Sequence, residues 1–349
     1  LMYVVAYPEV AGSDRIQTMR NAVPFWNNGG IRTPDGKTGT SMAIAPGETD
    51  LSLDLNKTYG RGIGRLRPTW YSTNEIWRKD KEADDMRGIY NRDSWRKMED
   101  LRYNEPDLKK TNNPWYGKNF VKSPSMPVED TIRLWFSWPH YKVFVPDPLQ
   151  TTWVGGETPW YIYRSAEVYL MLAESYYWKD QPALAAAALN EVRTRAGAKP
   201  LTAADINIGE VLDERARELY YEENRHIELV RIAYTYAKTG KPCEIFGGRV
   251  YSLAQFSGAG GTNSNIKTTG VNFWYDRVVG RSNFYNKGVK HKWAEYKVSV
   301  HHALWPVPAN AINTNVKGLI NQNIGYPGAE KNLKPLEVPA EGTIHGPQS

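Results

Sequence analysis

One cysteine, Cys243, occurs in 349 residues. No intrachain disulfide can form, so the cysteine count is silent about compartment. No Cys/His cluster has the spacing of a zinc site. The adjacent His301 and His302 would point to opposite faces of a strand and could not share one metal. No apolar run approaches membrane-spanning length. Charge of neither sign is gathered: 44 Lys and Arg against 38 Asp and Glu leave a mild +6. No compact basic run with interleaved aromatics marks a nucleic-acid surface, so no nucleic-acid partner is expected. The signatures of common hydrolases (a Gly-x-Ser-x-Gly elbow, HExxH, a Cys/His pair) are missing. The Gly60-Arg61-Gly62-Ile63-Gly64 run has no following Gly-Lys-Ser/Thr and no preceding Val/Ile-rich strand, which excludes a phosphate loop. The cluster Asp80, Glu82, Asp84, Asp85 lacks the glycine and closing glutamate of a calcium loop and is expected to be an ion-paired turn. No metal and no cofactor are predicted.

Phenylalanine is also scarce, with 8 residues against 13 Trp and 22 Tyr. Trp and Tyr combine a flat apolar face with a polar tip, the kind of surface on which a sugar ring stacks. Many of them lie in irregular, amide-rich stretches, where binding residues concentrate. Asn112, Asn113, Trp115 and Tyr116 precede Gly117, and Trp274, Tyr275, Asn283, Tyr285 and Asn286 form a second aromatic–amide group. Trp70, Asn113, Trp115, Tyr116, Trp153, Trp274 and Tyr285 are the candidate ligand-binding residues. Trp26, followed by Asn27, Asn28 and two glycines, is either a further stacking platform or a buried residue in a capped loop. The segments 133–145, 271–279 and 293–300 have strand-like composition, as does LMYVVAY at the start.

The longest helical pattern runs from 163 to 238. Apolar residues at spacings of three and four predict four helices, at about 164–178, 182–197, 208–222 and 225–238. In the first, Val168, Leu172 and Ser175 share one face, with Ala166, Tyr169 and Ala173 close by; the second is expected to start from an Asp180 cap with Pro182 in its first turn. Gly240 and Pro242 stop the fourth. Two helices and a short turn, repeated, is tetratricopeptide-like, and two antiparallel pairs are expected.

The residues themselves are more specific. Arg164, Glu167, Leu170, Ala173 and Glu174, then Leu189 to Gly197, then Glu214, Arg215, Glu218, Leu219, Glu222, Arg225, Leu229 and Arg231 resemble the helical signature of the SusD/RagB family. Glu228 stands where that family more often has Asp. Arg67-Pro68-Thr69, with Asp84, Asp85 and Arg87 beyond it, resembles a second family block. Pro306-Val307-Pro308 and Gln322-Asn323-Ile324-Gly325-Tyr326 resemble the closing block, with Ile324 where Pro is usual. These last residues are expected to pack the tail, not to touch ligand.

The resemblance implies a mainly α fold: a TPR-like helical-repeat scaffold with long loop-rich insertions and a few short strands. Residues 1–160 would be the loop-rich, ligand-facing region, 161–240 the helical pairs, and 241–349 an insertion, the closing signature and an exposed tail. It implies a non-catalytic protein of the outer membrane's extracellular face. Such a protein binds a nutrient, most often an oligo- or polysaccharide, and hands it to a SusC-like TonB-dependent transporter. Some members take peptides. A glycoside hydrolase is a further alternative, but it needs two carboxylates facing across a cleft. The clearest pair, Glu214 and Glu218, lies among arginines on a predicted helix. The opening LMYVVAYPEV has no basic n-region or cleavage site and is not a signal peptide. Family members carry an N-terminal lipid anchor and further repeats, so this chain is expected to be a C-terminal portion.

Overall fold

Helix α1 (Ser165–Trp178) and helix α2 (Pro182–Arg195) pack as a hairpin across the turn at 179–181, and helix α3 (Ile208–Glu218) packs against both. The computed structural model describes residues 2–4, 19–91, 93–144, 160–257, 265–291, 294–315 and 320–332. It is mainly helical with few short strands, as the resemblance implied. The chain divides into two units. The first comprises Leu1–Arg225, Glu244–Gly247 and Val279–Lys297; the second comprises His226–Cys243, Gly248–Val278 and Val298–Ser349. From His226 on, helix α4 (Arg225–Thr239) belongs to the second unit, whereas α1 to α3 belong to the first.

In the first unit, α1 buries Ala166, Leu170, Ala173, Glu174 and Tyr177. The residues grouped on one face from sequence divide: Ala166 and Ala173 are buried, whereas Val168 is 57% exposed and Leu172 40%, with Tyr169 and Met171 also open. Helix α1 is apolar on both sides, so periodicity alone could not choose. The small residues decide, because Ala166 and Ala173 on α1 and Ala185 and Ala188 on α2 are all buried and leave room for close backbone approach. Leu184 on α2 and Tyr161 to Tyr163 are exposed as well. Asp180 is not the cap of α2: it adopts a left-handed conformation, φ 54°, and Gln181 precedes the first helical residue, Pro182. The side chain of Asn207 caps α3, accepting from Glu210 N at 2.9 Å.

Strand β1 (Met2–Val4) pairs antiparallel with β2 (Trp160–Tyr163), and β3 (Lys290–His291) pairs with β4 (Ala294–Glu295). The aromatic run at 133–145 is not a strand. Helix Val128–Leu134 ends within it, Trp138 forms a single bridge with Arg96, and a short helix follows at His140–Val143. Its aromatics fill the core of the unit, where Trp138, Phe136, Leu134, Trp26, Tyr103 and Phe120 cluster. Trp26 is fully buried and donates to Gly60 O at 2.7 Å, which settles its two readings in favour of the core. The Gly60–Gly64 run has a backbone explanation too. A Cβ on Gly62 would lie 2.1 Å from Pro24 O; one on Gly64, at φ +56°, would lie 2.2 Å from Arg133 O.

Several charged residues of the helical signature are buried, among them Glu174, Arg193, Glu214, Arg215 and Glu218. Arg193 bonds Glu214 at 2.8 Å and Glu82 at 3.0 Å, and Arg217 bonds Glu210 at 2.8 Å and Glu214 at 2.9 Å. Arg87 reaches Asp85, Glu214 and Glu218 at 2.6–2.9 Å. Arg78 bridges Glu82 and Glu210, while Arg164 and Lys142 meet at Glu222. The acidic turn expected at 80–85 therefore splits: Glu82 and Asp85 enter the network, whereas Asp80 and Asp84 stay in solvent. Burial raises the pKa of a carboxylate, but the surrounding guanidinium groups outweigh it and hold Glu214 and Glu82 below the usual range.

In the second unit, Tyr236 of α4 stacks on Phe273 at 5.1 Å, and Tyr251 packs edge-on to both. Residues 271–279, expected as a strand, contain helix α5 (Phe273–Gly280). The Asn272 side chain accepts from Tyr275 N at 2.8 Å and starts it, overriding the β preference of its aromatics. The closing block packs as expected. Gln322 accepts from Val307 N at 2.7 Å and donates to Val307 O at 2.9 Å, and Tyr326 donates to Leu304 O at 2.7 Å.

Candidate ligand-binding cleft

Trp70 opens a single π-helical turn, Tyr71–Glu75, in the first unit. Such turns recur at functional sites. The turn is held from behind. Tyr71 donates its hydroxyl to Asp213 of α3 at 2.6 Å, Trp77 donates to Ser72 O at 2.9 Å, and Arg217 donates to Ile76 O at 2.7 Å. The buried ion network thus reaches the residue that ends the turn. With its neighbours fixed, Trp70 itself stays 57% exposed.

A second segment closes beside it. Asn283 Oδ1 accepts from Trp70 N at 3.4 Å, Arg281 pairs with Glu75 at 2.8 Å, and its guanidinium lies 5.5 Å from the Tyr71 ring centre. Between these walls and the segment 135–137 lies a cleft of about 330 Å3. Trp70, Trp135 and Phe136 supply its aromatic surface; Asn74, Asn283, Thr73, Ser137, Lys97 and Glu99 supply polar groups. Trp135 donates its indole N–H to Glu99 at 2.9 Å, which orients both groups. Arg67 lines the floor. Chemically, this is an exposed indole flanked by two amides and several donors and acceptors, the elements of sugar recognition. Glu99 is the one carboxylate among the lining residues, and no group of three His, Cys, Asp or Glu among the described residues could hold a metal.

Of the residues singled out from sequence, Trp70 lines this cleft. Asn113, Trp115 and Tyr116 do not, and the side chains of Asn113 and Tyr116 are already hydrogen-bonded elsewhere. Asn113 donates to Asp35 at 2.8 Å and accepts from Trp115 N at 2.9 Å. Trp115 packs edge-on to Tyr103 at 6.3 Å, against the core. Tyr116 donates to Glu48 at 2.7 Å; the amide of Asp50, this hydroxyl and Lys109 hold the Glu48 pKa down to about 2. Trp274 lies in α5 of the second unit, 4% exposed, edge-on to His226 at 5.4 Å, so it presents no face to a ligand. Tyr285 is half-buried against Tyr296 at 6.2 Å, and burial raises its pKa. Trp153 lies outside the described residues. Arg67, Asn74, Glu99 and Trp135 were missed as site residues. The signal that could have found Asn74 was its place four residues after Trp70.

The model of the SusD family matches residues 26–326, a span that takes in both walls of the cleft, the ion network and the closing Gln322–Tyr326 block. The chain belongs to the SusD family. SusD-family proteins are generally non-catalytic, outer-membrane-associated and nutrient-binding, and they work with SusC-like transporters. No curated protein and no solved structure matches the chain in the corresponding comparisons. Among the described residues, no helix is long and apolar enough to cross a membrane.

Proposed function

We propose that this SusD-family chain binds an oligosaccharide in the Trp70–Trp135 cleft, with one sugar ring stacked on Trp70. It does so at the extracellular face of the outer membrane, held there by a lipid anchor on the protein's N-terminus, and delivers the glycan to a SusC-like TonB-dependent transporter. The observation that carries the reading is the exposed indole of Trp70, braced from behind and flanked by Asn74 and Asn283. A stacked ring excludes water from the indole, while the amides exchange hydrogen bonds with sugar hydroxyls.

Calorimetric titration with a panel of neutral and acidic oligosaccharides tests it. A tryptophan presents up to about 250 Å2, and Trp70 leaves 57% of its surface open. Covering half of that open area stabilises the complex by about 1.8 kcal/mol at ~25 cal/mol per Å2. Trp70→Ala should therefore raise Kd about 20-fold. Unchanged affinity in that variant, with the fold intact, sinks the assignment. If mixed peptides bind and no saccharide does, the glycan reading gives way to a peptide-binding one.

A further inference from the structure

Arg67, which is half-buried, stands apart from the buried arginines of its unit. Arg87, Arg193 and Arg217 each hold carboxylates. Arg67 forms no ion pair among the described residues. Its guanidinium carbon sits between two rings, 5.4 Å from the centre of Phe136 and 5.2 Å from that of Phe284. Nη1 reaches two backbone carbonyls at 3.3 and 3.5 Å, long for such bonds. Nε is buried with no acceptor. A guanidinium partly withdrawn from water with a donor unused is costly, and two cation–π contacts recover only part of that cost.

The same side chain lines a second cleft of about 480 Å3, on the Phe284 side. Lys122 and Ser123 join it there, with Met126, Val128 and Phe284 as apolar wall. The lining contains no carboxylate. Lys122 is exposed and forms no ion pair among the described residues. The nearest acidic residues in sequence, Glu129 and Asp130, share the helix of Val128 but do not line this cleft. Two clefts thus adjoin one arginine: one offers an exposed indole and amides, the other two cations and no anion.

We propose that the ligand is an acidic oligosaccharide: one sugar stacks on Trp70, and the carboxylate of a neighbouring uronic acid is taken by Arg67 and Lys122. The proposal rests on the Trp70 reading above. A planar carboxylate matches the guanidinium fork and fills the donor that the protein leaves unused. The chain's net +6 favours the approach of such a ligand.

The test is calorimetry on the whole chain with three probes. These are uronate oligosaccharides (oligogalacturonate, oligoalginate), the same oligomers after carboxyl reduction, and a sulfated neutral oligomer. Carboxyl reduction should weaken binding at least tenfold, and the sulfated oligomer should not restore it. Arg67→Met, which keeps an apolar stem between the two phenyl rings, should abolish the acid-over-neutral preference. Should that variant fold poorly, Lys122→Met at the exposed rim should cut the same preference severalfold, and added NaCl should weaken acidic but not neutral ligands. Equal affinity for acidic and reduced oligomers, a sulfated oligomer that binds as well as the uronates, or a preference unmoved in both variants overturns the proposal. If Trp70→Ala still weakens those neutral ligands, the cleft assignment survives that failure; if no saccharide of any kind binds, both readings fall.

Discussion

Glu214→Gln is the sharpest perturbation of the scaffold behind the cleft. Glu214 Oε2 accepts from Arg193 at 2.8 Å and from Arg217 at 2.9 Å, and its Oε1 lies 2.9 Å from Arg87. Glutamine has the same shape but no charge, and its amide turns a donor toward a guanidinium. Six cations (Arg78, Arg87, Arg193, Arg217, Arg164, Lys142) face six anions (Glu82, Asp85, Glu210, Glu214, Glu218, Glu222) in the sheltered part of this network, and the exposed Arg195 adds a seventh cation at Glu218. The substitution leaves one uncompensated positive charge where Glu214 and Arg217 are both shut off from water. Breaking a buried pair in this way costs about 3–5 kcal/mol, against total stabilities of roughly 5–15 kcal/mol. With a urea m-value of about 3 kcal/mol/M, the unfolding midpoint should fall by about 1–1.7 M. Glu295→Gln, which removes a pair with the exposed Lys297, is the control and should cost less than about 1 kcal/mol. Equal shifts in the two variants would refute the claim that this network is structural. Hydrogen exchange adds a second readout. Since Arg217 holds Ile76 O, amides of the 71–77 segment should lose protection in Glu214→Gln and keep it in the control.

Three further outcomes follow from local geometry. Gly64→Ala must place a Cβ 2.2 Å from Arg133 O at a left-handed φ, so it should lower stability by about 2 kcal/mol or more in the same urea assay. Burial and the nearby Arg96 push the His140 pKa down to about 4 from 6.5. The fold therefore disfavours the protonated ring, and stability that is complete above pH 6.5 should fall as pH drops toward 4. His140→Gln should flatten the stability profile within that window. Tyr71→Phe loses the bond to Asp213 at 2.6 Å and should weaken saccharide binding severalfold through Trp70 while lowering unfolding stability by only about 1.5–3 kcal/mol.

Helices α1 to α3 were legible because apolar spacing, Pro182 and the glycine at 197 act locally. What periodicity could not supply was the choice of face on α1, where both sides are apolar and tertiary packing of alanines decides. The charged residues of α3 were legible as ion pairs but not as buried ones, since several need partners more than a hundred residues away, such as Arg78 for Glu210 and Arg87 for Glu218. The cleft shows the same limit. Trp70 was visible as an aromatic in irregular chain, whereas Trp135, Glu99 and Asn283 reach it from three separate segments with no pattern linking them. An aromatic beside an amide proved ambiguous: Asn74 beside Trp70 faces the cleft, while Asn272 beside Trp274 caps a helix and sends the indole inward.

The open flank of α1 has a practical consequence for any solution experiment on this chain. Val168, Tyr169, Met171 and Leu172, with Leu184 and the exposed Tyr161–Tyr163 segment, put many large apolar side chains in water within one unit. Contiguous apolar surface of that kind promotes self-association, and salting-out anions such as sulfate strengthen it. Scattering should therefore rise with protein concentration and with ammonium sulfate. Titration heats collected at high concentration would include the disruption of self-contacts, so affinities from dilute and concentrated samples need to be compared before they are assigned to the cleft.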